Sequence, residues 1–132
     1  MPRIQWPLRH GRPYVQVNFT LGQGAQPLVR TLLADTGAGS RRAGFSLILL
    51  EQDCLLCGGN PLGRVALGGA YTGSFPTYAV SVQLPALGFA QRLRVVAVPS
   101  PPRRFDGIAC FGFLNRFTYG NLGNSGQFGL EC

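Results

Sequence analysis

The chain has no lysine and a single histidine, and only 13% of its 132 residues are charged. His10 lies in an Arg- and Pro-rich stretch, and no Gly-x-Ser-x-Gly turn occurs anywhere. A serine or cysteine nucleophile needs a histidine positioned beside it, so Ser–His–Asp and Cys–His hydrolases are set aside. No glycine-rich loop leads into a helix, which leaves phosphate cradling without support. Apolar runs such as Leu47 to Leu50 last a handful of residues, against the roughly 20 that cross a bilayer. No membrane partner is expected. Arg3, Arg9 and Arg12 are followed by no apolar stretch, so the amino terminus does not read as a secretory signal and the expected location is cytoplasmic.

Cys54 and Cys57 stand at CxxC spacing, but neither a second CxxC or CxxH nor a βαβ pattern accompanies them. Zinc needs four ligands, so no metal and no cofactor are expected. The pair reads as small buried or half-buried thiols closing a loop before Gly58-Gly59, able to form a disulfide only in an oxidising compartment.

Glycine (19) and proline (10) are abundant. Both mark turns and weaken helix interiors, so the composition predicts an all-β fold. A chain of this length reads as one domain spanning 1–132, large enough to bury about two-thirds of its unfolded surface. The net charge of +7 comes entirely from arginine, in ones and twos such as Arg41-Arg42, Arg92, Arg94 and Arg103-Arg104. No basic stripe alternates with aromatics, so nucleic acid is not the expected partner, although the same field attracts acidic peptides.

Period-2 alternation is the dominant pattern. Tyr14 to Leu21 reads as a first strand, turned by Gly22-Gln23-Gly24 into a second, Leu28 to Ala34, and the hairpin is expected to carry Asp35 at its tip. Phe45 to Leu50 is a strand or one helical turn, and Glu51 to Gly63 reads as loop. Val65-Ala66-Leu67 and Tyr78 to Leu84 flank a glycine-rich hairpin turn. Leu93 to Val98, Phe105 to Cys110 and Gln127 to Leu130 are further strands. Phe111 to Phe117 is the best helix candidate.

The run Leu32-Leu33-Ala34-Asp35-Thr36-Gly37-Ala38 carries the chemistry. A carboxylate after so apolar an approach costs several kcal/mol, on the order given by burial of charge, unless hydrogen bonds or a shared proton compensate it. A strand ending in a turn, with Asp35 capping backbone N–H groups, explains the same residues without chemistry.

Three segments, in order, resemble the retropepsin-like aspartic proteases, the small single-domain type. They are Asp35-Thr36-Gly37-Ala38, the hairpin turn Gly68-Gly69-Ala70-Tyr71-Thr72-Gly73, and Asp106 to Phe117, similar to the family's Asp-Gly-Ile segment before a short helix. The opening Pro2-Arg3-Ile4-Gln5-Trp6 looks like the terminal strand such proteins lend to their dimer sheet. The resemblance implies a closed β-barrel with a flap hairpin, one short helix near the carboxyl end and a two-fold dimer. Cys110 stands where the family usually has glycine, Gly112 where it often has Asp or Asn, and Gly39 where retroviral members have an acid. A peptide-binding or dimerisation module on the same fold, without turnover, is the second reading these departures keep open.

Aspartic proteolysis needs two carboxylates sharing one proton. The chain has three Asp and two Glu and no second Asp-Thr-Gly, so the resemblance requires Asp35 of another copy, on the axis of a homodimer. It implies that Asp35 alternates as base and acid, Thr36 makes hydroxyl bonds across the dimer, and the Gly37 N–H approaches the carboxylate. Ala38 and the flap residues Gly68 to Gly73 then cover a peptide or protein substrate. Ala38 in place of the Ser of other members removes a hydroxyl that favours ionisation, which implies a mildly acidic working range.

Overall fold

The computed structural model describes residues 2–21, 26–39, 44–69, 71–100 and 104–132. Among these residues ten strands and two short α-helices, with one 3-10 turn (Pro85–Leu87) between β6 and β7, follow in the order β1 (Arg3–Pro7), β2 (Tyr14–Phe19), β3 (Leu28–Ala34), β4 (Leu47–Leu50), α1 (Glu51–Leu56), β5 (Gly63–Leu67), β6 (Gly73–Leu84), β7 (Phe89–Val98), β8 (Gly107–Ala109), α2 (Phe111–Leu114), β9 (Thr118–Gly120) and β10 (Gln127–Glu131). Of the described residues 52% are strand and 11% helix, as the glycine and proline content predicts.

Six strands close a barrel in the order β2-β3-β8-β4-β7-β6, sealed where β6 returns to β2 through Asn18↔Gln83 and Phe19↔Val82. Alternation sets what fills it. In β2 the side chains of Val15, Val17 and Phe19 are wholly buried while Gln16 is exposed, the period a strand with one covered face must show. Leu32, Leu47, Leu49, Val80, Val82 and Val95 complete the interior.

Strand β8 lies between two strands that flank it on opposite sides. It runs parallel to β3 through Leu32↔Gly107 to Ala34↔Ala109 and antiparallel to β4 through Leu47↔Ala109 to Leu49↔Gly107. The squeeze explains Gly107: a Cβ there would run into the Ile48 carbonyl oxygen and crowd Leu32 and Leu49. Strand β6 is long enough to serve two purposes. Its first residues pair with β5 from Gly63↔Thr77 to Leu67↔Gly73, and the rest pairs with β7.

Apart from the barrel, β1, β10 and β9 form a three-stranded antiparallel sheet. The opening strand therefore finds its partner within its own chain, from Arg3↔Glu131 to Pro7↔Gln127, closed by an Arg3–Glu131 ion pair at 2.7 Å. Trp6, Phe128 and Leu130 are buried beneath it.

Two expectations change. Glu51–Leu56 is helical rather than loop, so a second α-helix joins the expected one among the described residues. Glu51 and Asp53 sit in its first turn, where negative charge is favoured, but Leu55 and Leu56 are exposed and blur the apolar periodicity. Phe45 to Leu50 resolves as a strand, β4, over its last four residues. Asp35 lies at the open end of the β2–β3 hairpin, opposite its turn. Antiparallel pairing of Tyr14 with Leu33 brings the end of the second strand back beside the start of the first. The turn Gly22-Gln23-Gly24 itself lies outside the described residues.

The carboxyl-terminal helix falls where expected. α2 spans one turn, and Phe113 is wedged edge-on between Phe89 (6.0 Å between centroids) and Phe117 (5.4 Å). That aromatic triad, closed by Phe89 against Phe117 at 5.2 Å, anchors a helix too short to be stable alone.

Candidate active site

The end of β3 is held from three directions. The Ala34 N–H donates to the Pro13 carbonyl at 3.1 Å, the Asp35 N–H to the Ala109 carbonyl at 3.0 Å, and the Ala38 N–H back to the Asp35 carbonyl at 3.1 Å. The Phe111 N–H at the start of α2 closes the turn onto the Ala38 carbonyl at 2.9 Å. Strand β8 and α2 thereby fix the Asp-Thr-Gly turn by backbone bonds alone, independent of side-chain rotamers.

Within that frame the Gly37 N–H donates to Oδ1 of Asp35 at 2.9 Å. A Cβ at Gly37 would stand 3.2 Å from the same oxygen, so a larger residue would push on the carboxylate. Asp35 is half-buried and Thr36 exposed; the Thr36 hydroxyl has no partner among the described residues. The remaining carboxylate oxygen of Asp35 likewise has no hydrogen bond within the described residues, and is available to a ligand or to a second carboxylic acid.

The other four acids are placed elsewhere. Asp53, 4% exposed, takes both branches of the Arg30 guanidinium, with Nε at 2.7 Å and Nη2 at 3.0 Å. The pair ties α1 to β3, and the carboxylate raises the Arg30 guanidinium above its ordinary range. Asp106 accepts the Thr31 N–H at 2.9 Å while its own N–H donates to the Thr31 carbonyl at 2.8 Å. Glu131 pairs with Arg3, and Glu51 is exposed at the head of α1.

Hairpin β5–β6 and the Asp35 turn meet on one apolar floor. Ile48, Val96, Val98, Ile108 and Cys110 form it, and Ala38 packs on it together with Val65, Leu67, Tyr71 and Phe75 of the hairpin. The Tyr71 hydroxyl donates to the Ser100 carbonyl at 3.2 Å, and partial burial raises its titration above the ordinary phenol range. Thr72 Oγ1 donates to the Gly69 carbonyl at 3.2 Å, and Gly69 and Gly73 adopt positive φ (74° and 135°), closing a turn that L-residues disfavour. Gly68 is exposed. Ala70 lies outside the described residues. Of the residues singled out from sequence, then, Ala38 and Tyr71 share one cluster with the carboxylate turn. Gly68, Gly69, Thr72 and Gly73 form the far end of the hairpin.

Sequence reasoning passed over the floor itself. Ile48 and Val98 are ordinary strand residues by pattern, and only the insertion of β8 between β3 and β4 makes them neighbours of Asp35's turn. Cys110 was noted as a departure; its role is steric. The thiol is wholly buried, and burial, with a smaller contribution from the Asp35 charge, pushes it up to about 12. It stays a neutral, compact thiol and offers no nucleophile.

Of the CxxC pair, Cys54 lies on α1 and Cys57 caps its carboxyl end. All four cysteines are free thiols. Burial pushes Cys54 up to about 12 and raises Cys57, with Asp53 adding to both. A redox thiol needs the opposite electrostatics. No group of three or more His, Cys, Asp or Glu side chains able to hold a metal occurs among the described residues, and none of their helices is long and apolar enough to cross a membrane.

Against known proteins, no family model matches the chain and no curated sequence matches it. Two surface depressions, one lined by Arg30, Asp53 and Asp106 among others and one by His10, Arg12, Arg104 and Phe105, do not include Asp35.

Proposed function

We propose that this chain is an aspartic endopeptidase of the retropepsin-like type, assembled as a homodimer in which two copies of Asp35 share one proton and activate a water molecule. The observation that carries the reading is the isolation of Asp35. Four of the five acids are exposed or engaged elsewhere, while Asp35 alone stands at the end of a barrel strand with one oxygen unbonded among the described residues and its turn locked by β8 and α2. A lone carboxylate cannot act as base on water and as acid toward a scissile carbonyl at once. A two-fold partner supplies the second.

β1 pairs only with β10 among the described residues, which leaves its outer edge open to strand addition. Thr36, exposed in one chain, would bond across the axis. Hairpin β5–β6, with Tyr71, would close over an extended peptide and exclude water. Ile48, Val98 and Ile108 floor the site, so the cut is expected between apolar residues.

Sedimentation equilibrium with cleavage of a mixed peptide library from pH 4 to 7 tests the proposal. The expected outcome is a dimer that cleaves best in mild acid, with cleavage reduced about a thousandfold or more in Asp35→Asn. A strict monomer without cleavage, or a rate still climbing below pH 3, would overturn it. A dimer that binds peptides equally well as wild type and as Asp35→Asn, cutting none, would establish the second reading, a binding module without turnover.

A further inference from the structure

The second depression has a composition that the barrel does not explain. It encloses about 280 Å³ and is lined by His10, Arg12, Arg104 and Phe105. Three of the four side chains carry N–H donors for an anion, and no acid is among them. Both arginines are exposed, and among the described residues neither forms an ion pair, in contrast to Arg3 and Arg30. Phe105, 5% exposed, is the apolar floor. The adjacent Asp106 lines the other depression, where it accepts the Thr31 N–H.

The backbone reinforces the side chains. Only three non-glycine residues among those described have positive φ, and two of them, His10 (52°) and Arg104 (70°), line this depression. Left-handed backbone is disfavoured for residues with a Cβ and persists where the surroundings hold it, commonly where a side chain must be aimed. His10 and Gly11 (φ 72°) are the two corner residues of a turn closed by reciprocal bonds between Arg9 and Arg12, at 3.0 and 2.9 Å. That turn is tied to the active-site strand, because Pro13, directly after Arg12, accepts the Ala34 N–H one residue before Asp35.

We infer that the His10–Arg12–Arg104 depression is an anion subsite that selects peptides bearing a carboxylate group beside the apolar residues at the cut. The nature of the ligand rests on the peptidase reading; the subsite itself rests on the geometry above. A small pocket with a buried aromatic floor fits one carboxylate. It lacks the exposed stacking faces and the extended basic track that single-stranded nucleic acid needs.

The test measures binding apart from turnover. Asp35→Asn protein is titrated, by fluorescence anisotropy, with acetylated and amidated peptides of one apolar centre, flanked by Glu in one series and by Gln in the other. The Glu series is expected to bind about tenfold tighter at low salt, and the advantage should shrink as salt screens it. Adding Arg12→Gln and Arg104→Gln should abolish the advantage. Arg92→Gln, an exposed arginine outside the depression, should preserve it. A Gln peptide with a free carboxyl terminus that recovers the advantage would identify the bound group as a terminal rather than a side-chain carboxylate.

Equal affinity of the two series, or a preference that survives the Arg12/Arg104 variant, would overturn the subsite. So would an oligonucleotide that binds tighter than the Glu peptide in an Arg12- and Arg104-dependent way. The two readings separate cleanly. Cleavage by wild type with no preference for acidic flanks rejects the subsite alone. Arg-dependent binding of Glu peptides without any cleavage by wild type supports the subsite and rejects the peptidase.

Discussion

Asp35 and Asp53 lie at opposite extremes of what a carboxylate can do in one small barrel. Asp53 sits on α1, buried, with both oxygens taken by the Arg30 guanidinium. Asp35 sits at the end of β3 with one oxygen on the Gly37 N–H and the other without a hydrogen bond among the described residues. The contrast teaches that an acid is spent on architecture when an opposite charge saturates it, and is left available when only the backbone positions it. β3 connects the two, since Arg30 and Asp35 lie on or just past the same strand. The Arg30–Asp53 pair braces the strand that presents Asp35.

The comparison breaks most severely at Arg30. Arg30→Met would leave the buried Asp53 carboxylate without its partner and should cost about 3 kcal/mol, a fall of roughly 10 °C in melting temperature for a chain of this size. Replacing both residues, Arg30→Met with Asp53→Leu, should recover most of that loss. Asp35→Asn should leave the melting temperature within about 2 °C of wild type, because among the described residues no charge partner is orphaned. A large fall there would mean that Asp35 is structural too.

A somewhat smaller effect is expected at the strand that locks the Asp35 turn. Gly107→Ala forces a Cβ against the Ile48 carbonyl and should destabilise by about 2 kcal/mol while prising β8 from β4. Chemical denaturation would show the loss. Hydrogen exchange should show it concentrated in Leu33 to Ala38 rather than in β5, and uniform exchange would contradict the proposed lock.

The smallest effect concerns the thiols near each acid. Cys54 and Cys110 are raised in the folded state from 9.0 to about 12, so the unfolded chain ionises first. Their contribution to stability is whole below pH 9 and drains away as pH rises toward 12. Cys110→Ala should flatten that decline, measured by denaturation at pH 8, 9 and 10. At neutral pH the exposed Cys132 should alkylate first, and Cys54 and Cys110 only on unfolding.

Much of the barrel was legible in the sequence because its strands have one covered face: Tyr14 to Phe19 and Leu28 to Ala34 alternate or run apolar in the lengths that strands require. The helix α1 was not, since its exposed Leu55 and Leu56 erase the periodic signal, while the acids that favour its first turn are also common in loops. Of the site, Asp35, Gly37, Ala38 and Tyr71 could be named from the order of motifs. Ile48 and Val98 could not, because nothing local marks a strand residue that becomes a neighbour through a long-range insertion. His10 and Arg104, remote in sequence, gain meaning only where two turns converge.

By itself the sequence determined an all-β chain rich in turns, with one apolar strand running into a single Asp-Thr-Gly and no second one. Composition and periodicity suffice for that, since both act through nearest neighbours and strand pleat. Tertiary structure alone decided which acids an opposite charge would saturate, that β8 would divide β3 from β4, and that Arg12 and Arg104, unpaired among the described residues, would share one depression. Those outcomes depend on contacts between segments distant in the chain, where burial and charge pairing set the energies and no local pattern records them.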